Sequence, residues 1–338
     1  MGKVKNSVLT VFSLVLFIGT GMNGYNQNVK IKRIWNKSPH AAFTGLVHYE
    51  GSFYCSFREA KKHVDKYGND NGVIRILKSE NGKKWETFDI VAKEGLDFRD
   101  AMLSITPDGK LMLLMGASVH QNNATLSICS HVAFASKDSL FTEAVPIEVN
   151  YEASRKWLWK IQWYKDTAYG FVYGDKFCLV KSSNGISYET IQDFNLQGSP
   201  SEADLCFAED GIITAIIRRA KNINGLIGTS NPPYIDWQWT DCGYEMGGPD
   251  IVTLSNNKKV ISSRFISEKG NRIMVFVLQE DNSLRPVLQL PAGGDCSYSD
   301  ALLLDGTVYM SYYSSHRRKA SIYFAVIPEL KLNGEIIE

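Results

Sequence analysis

The chain has 338 residues, 44% of them hydrophobic and 22% charged, and its 37 Lys and Arg against 36 Asp and Glu leave a formal charge of +1. That length holds one large domain or two ordinary ones, with ample apolar residues for a core. The charge balance gives no basic stripe for nucleic-acid phosphates and excludes an acidic or low-complexity disordered chain, while 12% aromatic residues lean toward β structure.

The chain opens with Lys3 and Lys5, then an apolar run from Val8 to Ile18 and the small residues Gly19, Thr20, Gly21 and Gly24. This order reads as a signal peptide over residues 1–24. The run is shorter than the about 20 apolar residues that a membrane-spanning helix needs, and it holds no cysteine for a lipid anchor. The expectation is an exported protein, periplasmic or extracellular if bacterial, with no membrane span after leader removal and a single domain over residues 25–338.

Six segments then repeat one plan: an apolar strand, a short polar turn and a second apolar strand ending in polar residues. In order they are Ala42 to Glu59 around Gly51, Asp100 to Ser118 around Gly109, Trp157 to Asp175 around Asp166, Ala203 to Arg219 around Gly211, Pro249 to Phe265 around Asn257, and Tyr298 to Ser314 around Gly306. Turns such as Pro107-Asp108-Gly109 and Leu304-Asp305-Gly306 suit hairpins, because Gly accepts the positive φ that tight turns require. The turn centres lie about 45 to 60 residues apart, the period of a four-stranded propeller blade.

Between the hairpins lie further strand-like runs, several followed by one type of turn. Ser79-Glu80-Asn81-Gly82-Lys83-Lys84-Trp85 and Ser182-Ser183-Asn184-Gly185-Ile186-Ser187-Tyr188 are its clearest copies. Ser136-Lys137-Asp138 with Phe141, and Ser230 to Trp237, are looser ones. The Ser and Asn side chains suit bonding to turn amides, and the aromatic suits plugging the gap between outer strands. No stretch beyond the leader has a helical period. The expected fold is all-β, a six-bladed propeller of four-stranded antiparallel blades; the alternative is a β-sandwich with long loops. Six cysteines, at 55, 129, 178, 206, 242 and 296, form no C-x-x-C pair, so zinc is not expected and the thiols read as small buried apolar groups.

In each hairpin the start of the first strand and the end of the second share one edge, so in a propeller those residues converge on one mouth. They are His40, Arg58, Glu59 and His63; Arg99, Asp100 and His120; Trp157, Trp159, Tyr173 and Asp175. The later units add Glu202, Asp204, Arg218, Arg219, Asp250 and Arg264, then Asp295, Tyr298, Asp300, Tyr312, Tyr313 and His316. Ionisable side chains at strand ends are costly unless paired or used. Candidate substrate-binding residues are therefore Arg99, Asp100, His63, Trp159, Asp295, Tyr312 and His316. Trp157 and Trp159 read either as an aromatic platform at the rim or as packing between blades.

The repeated units, the Ser-x-Asx-Gly turns and three local matches together resemble the sialidase superfamily, over nearly all of the chain after the leader. Phe57-Arg58 ends the first hairpin as the sialidase Phe-Arg-Ile-Pro segment does. Ser201-Glu202, Asp210-Gly211 and Arg218 resemble that family's Glu, Asp-Gly turn and Arg segment, and Ser297-Tyr298-Ser299 before Leu304-Asp305-Gly306 resembles the strand bearing its tyrosine. The resemblance implies an exo-acting glycoside hydrolase with Tyr298 as nucleophile and Glu202 as its base. It implies Arg58, Arg218 and Arg264 on the substrate carboxylate and Asp65 or Asp70 as general acid. A phenol avoids the repulsion that a carboxylate nucleophile would meet at a carboxylate-bearing anomeric carbon.

The expected partner is a glycan or oligosaccharide ending in an acidic sugar, sialic-acid-like or a related ulosonic or uronic acid. Glu59-Ala60 replaces Ile-Pro, and the polar ring carries about as many acids as arginines, so a neutral sugar stays open. Two other readings use the same mouth: a carbohydrate-binding propeller without catalysis, and a hydrolase or lyase with His63, His120 or His316 as acid–base. No phosphate loop or metal cluster stands out, so no cofactor and no metal are expected.

Overall fold

Two-residue turns with both central residues at positive φ, Glu50-Gly51 and Asp305-Gly306, join the first two strands of the first and last units. That conformation matches the right-handed twist of the flanking strands, and Gly adopts it without a Cβ clash. The computed structural model describes residues 29–137, 139–268 and 270–332. The leader expected over residues 1–24 and Asp138 of one looser turn lie outside the described residues. Apart from a 3-10 turn at Glu329–Lys331, every regular element among the described residues is a strand. No helix there is long and apolar enough to cross a membrane.

The strands form four four-stranded sheets and one nine-stranded sheet, all open. The first unit is His40–Tyr49, Ser52–Ala60, Val73–Ser79 and Glu86–Val91. The fourth runs from Ala203–Phe207 to Trp237–Asp241 and the fifth from Asp250–Thr253 to Leu284–Leu290. The sixth takes Cys296–Leu304, Thr307–Ser314 and Ser321–Pro328, and its outer strand, Lys30–Trp35, comes from the other end of the chain. The second and third units, expected as separate sheets, are fused: a short parallel ladder joins Arg155 and Lys156 to Ile128 and Cys129. The strand Ala124–Ala135 is long enough to reach the start of the next unit.

The first strands pack on one another in chain order, and Cys296–Leu304 packs back on His40–Tyr49. Each pair of consecutive units shares an apolar cluster, including the sixth with the first, where Trp35, Phe53, Tyr313 and Phe324 meet. Each buried aromatic there contributes roughly 1.5–3 kcal/mol. The Ser-Asx turns fold as their residue types suggest. Asn184 Oδ1 accepts from the amides of Ile186 and Ser187 at 2.8 and 2.9 Å, and Asn81 Oδ1 from that of Lys83 at 2.9 Å. Trp85 packs against Phe324 with ring centroids 5.1 Å apart. All six cysteines are free.

Four of the first strands carry a bulge at one level, shown by register shifts between Ala42 and Gly45, Arg99 and Met102, Leu158 and Ile161, and Ser297 and Asp300. Phe43, Asp100 and Tyr298 sit in these bulges at φ of 65°, 50° and 49°. A non-glycine residue held there costs about 1–3 kcal/mol, and bulges re-aim side chains. Buried hydroxyls satisfy the freed backbone groups: Thr44 donates to the Tyr298 carbonyl at 2.6 Å and Ser56 to that of Ala101 at 2.6 Å.

Candidate active site

The bulges turn side chains from four units toward one another. The Tyr298 ring lies edge-on to Phe43 at 4.9 Å and to Trp159 at 5.5 Å. Its hydroxyl donates to Glu202 Oε1 at 2.6 Å. Glu202 immediately precedes the first strand of the fourth unit, and Arg218 immediately follows the second. Their backbones extend that ladder, the Arg218 amide donating to the Glu202 carbonyl at 2.9 Å. Hairpin pairing thus sets the arginine beside the glutamate, and Arg218 Nη1 donates to Glu202 Oε2. The Gly248 amide donates to the same oxygen at 3.2 Å.

Burial resists ionisation of Glu202, but the Arg218 charge and hydrogen bond, the Tyr298 hydroxyl and the Arg264 charge hold its pKa below the ordinary value. Burial, then the charges of Asp100 and Glu202, push the Tyr298 phenol well above its ordinary range. The pair is therefore a neutral phenol against an ionised carboxylate, the arrangement in which a base takes the proton as the oxygen attacks.

Arg264 stands close by. Its Nε is buried with no hydrogen-bond partner, and no carboxylate lies within ion-pair distance among the described residues. A Cβ on Gly247 would fall 2.6 Å from that Nε, so the glycine lets the guanidinium lie against the backbone where it does. Arg99 lies 4.8 Å over the Phe43 ring and donates to the His63 carbonyl at 3.2 Å. Asp100 is 4% exposed. Burial raises its pKa to about 7 against the pull of Arg99, with Glu202 adding to the rise.

Several candidates stand elsewhere. Arg58 is fully buried, bonded through Nε to Asp97 Oδ1 at 2.8 Å and through Nη1 to the Lys62 carbonyl at 2.8 Å. It is thus a neutralised internal cation and not a free guanidinium, because Asp97, absent from the sequence candidates, lies against it. Asp65 and Asp70 hold their own loop: Asp65 accepts from the Tyr67 amide, and Asp70 from those of Lys61 and Lys62. Neither hydrogen-bonds Tyr298 or Glu202. Tyr312 stacks on Tyr323 and donates to the Pro291 carbonyl. Strand alternation sends its neighbour Tyr313 to the site face instead, 6.2 Å from Tyr298.

His316 is exposed and lies against Tyr323. Trp159, 1% exposed, is the floor under Tyr298 and not a rim platform, while Trp157 stacks on Tyr173. Asp295 accepts from His40, His63 and Tyr313. Asp204, Asp250 and Asp300 all accept from the buried ammonium of Lys160, and Glu59 binds Arg75 and Trp35. Phe43, Asp97 and Lys160 had no signal in the sequence. Tyr313 was readable by alternation.

No protein-family model matches the sequence, and no curated protein matches it. Solved structures do. A protein of unknown function from Dyadobacter fermentans superposes with a TM-score of 0.76 at 17% identity, covering 89% of this chain and 99% of that one. The NanB sialidase of Streptococcus pneumoniae gives 0.69 at 11% identity, covering 87% and 69%. The Trypanosoma rangeli sialidase in complex with the inhibitor DANA gives 0.67 at 13% identity, covering 90% of this chain but only 60% of that one. The fold is sialidase-like.

Proposed function

We propose that the chain is an exo-acting glycoside hydrolase on a six-bladed, sialidase-like propeller, cleaving a terminal acidic sugar from glycans. The observation that carries this reading is the 2.6 Å hydrogen bond from Tyr298 to Glu202, with Arg218 and the unpaired Arg264 beside it. The apolar clusters between all consecutive units, the sixth and first included, support six blades.

In the reaction Tyr298 attacks the anomeric carbon while Glu202 takes its proton, and the glycosidic bond breaks as an acid protonates the departing oxygen. Water then attacks the tyrosyl-linked sugar, and the C–O bond to Tyr298 breaks as Glu202 returns its proton. Two displacements retain the anomeric configuration. Asp100 is the acid, in place of Asp65 or Asp70: it is buried, its charge acts on Tyr298, and its pKa of about 7 keeps a proton available near neutrality. In the second step Asp100 takes a proton from the water.

The charge around the pair supports an acidic substrate. Several acids counted in the sequence are engaged away from the pair: Glu59 binds Arg75, and Asp204, Asp250 and Asp300 share the ammonium of Lys160. Arg99, Arg218 and Arg264 then face Glu202 and a half-protonated Asp100, and planar guanidinium groups suit a carboxylate. None of His63, His120 and His316 hydrogen-bonds Tyr298 or Glu202.

The test is a panel of aryl glycosides of nonulosonic, uronic and neutral sugars. Release from an acidic member is expected. Release only from neutral members, or binding without release, overturns the reading. Because Asp100 must be protonated to act, kcat/KM should fall as pH rises above about 7. Asp100→Asn should abolish that limb and cost roughly 10²–10⁴-fold on a natural glycan. With a leaving group that needs no proton the loss should be small.

A further inference from the structure

A second constellation lies one aromatic layer from Tyr298 and plays no part in that chemistry. His40 Nε2 and His63 Nδ1 both contact one oxygen, Asp295 Oδ2, at 2.9 and 3.0 Å. The three atoms lie within 4.8 Å of one another. The residues come from three places: the start of the first strand of unit one, the loop after its second strand, and the approach to unit six. The Phe43 ring separates them from Tyr298, 5.1 Å from His63 and 4.9 Å from Tyr298.

We infer that His40, His63 and Asp295 form a binding site for a divalent transition-metal ion, zinc being the best match, at the seam where the sixth unit meets the first. Two imidazoles and a carboxylate are a borderline-soft N2O donor set that suits zinc and its first-row neighbours better than calcium or magnesium, which favour all-oxygen shells. Tetrahedral zinc with bonds of about 2.0–2.2 Å separates its ligand atoms by about 3.3 Å. The N···O contacts need to open by only a few tenths of an ångström.

The flexible partner is His63, whose side chain is 49% exposed, and its open side leaves the remaining coordination position to water. The carboxylate is already aimed. Tyr313 donates to Asp295 Oδ1 at 2.9 Å, and the Asp295 amide donates to Ser315 Oγ at 2.8 Å. Such outer partners fix ligand orientation in metal sites.

Arg99, on the His63 carbonyl, and Arg264, whose charge acts on Tyr313, oppose a dication. The affinity should therefore be lower than that of the same three ligands without neighbouring guanidinium groups. A bound ion would tie the loop carrying His63 to both neighbouring units. The sequence conceals this site because Asp295 lies 232 residues from His63.

The test is calorimetric titration of chelator-treated full chain with zinc chloride, repeated with cobalt chloride to read the visible spectrum of a tetrahedral ion. One site per chain is expected. His63→Ala and Asp295→Asn should each weaken it by about 100-fold or more, the upper end of what outer partners alone cost. His63 is half exposed, so its variant keeps the fold, which circular dichroism checks. No binding by the parent chain, or equal binding by the His63→Ala and Asp295→Asn chains, overturns the site; the second result would place the metal on other histidines or thiols. None of these readouts depends on glycosidase activity, so the site and the proposed reaction stand or fall separately.

Discussion

Lys160→Met should lower the unfolding free energy by about 3–5 kcal/mol, the cost of removing one member of a buried ionic cluster. The ammonium donates to Asp204 Oδ2 at 2.8 Å, Asp250 Oδ1 at 2.5 Å and Asp300 Oδ1 at 2.8 Å. Each acid is on a different strand, and all three are nearly inaccessible to water. Below the cluster a cavity of about 390 Å³ opens toward the turn side, lined by Lys160, Asp300 and Leu304. Without the lysine, the first strands of three units carry three carboxylates with no cation. Urea unfolding should report the loss as a lower midpoint at unchanged slope.

The pH dependence of this cluster has a definite sign. Burial opposes the Lys160 charge, but the three aspartates outweigh it and raise its pKa, so its contribution is complete below 10.5 and fades only in strong alkali. Burial raises the Asp250 pKa against the pull of Lys160, and Asp300 and Asp204 raise it further. A raised carboxyl pKa contributes stability that is full below the unfolded value, near 3.8, and is lost as pH climbs toward the folded value. Asp250→Asn should therefore match or exceed the parent in stability at neutral pH. Its amide can still accept from Lys160 and can donate toward Ser262, which now contacts the second Asp250 oxygen at 3.4 Å.

Tyr298→Phe deletes one oxygen and leaves the packing against Phe43 and Trp159 in place. It should lower kcat by about 10³-fold or more with little change in stability, because the reacting atom is gone. Glu202→Gln should cost roughly 10²–10⁴-fold, the usual range for a lost proton acceptor. The double variant should be little worse than Tyr298→Phe alone, since a base without its nucleophile has nothing to activate. If both single variants keep parental rates on an acidic glycoside, neither residue carries the chemistry.

What the sequence could tell followed from local physics. Hairpin turns were readable because glycine and asparagine mark positive φ, and Glu202 and Arg218 could be placed together because they are partners across one hairpin. The charges that cancel one another could not be read, since packing between units decides them: Asp97 reaches Arg58 across 39 residues, and Asp300 reaches Lys160 across 140. Counting charges at strand ends therefore misjudged the mouth in both directions, including an arginine that Asp97 holds and aspartates that Lys160 holds. The bulges had no signature either, although they are what re-aim Phe43, Asp100 and Tyr298. The strand Lys30–Trp35 completes the sixth unit from the far end of the chain, a long-range pairing that no local turn announces.

The most direct measurement is mass spectrometry of the chain after incubation with a fluorinated acidic sugar carrying a good leaving group, which slows the second displacement more than the first. One sugar per chain is expected, on the peptide containing Tyr298, and none on Tyr298→Phe. Label on Glu202 or another carboxylate, or turnover of an acidic glycoside with inverted configuration, would contradict Tyr298 as the nucleophile.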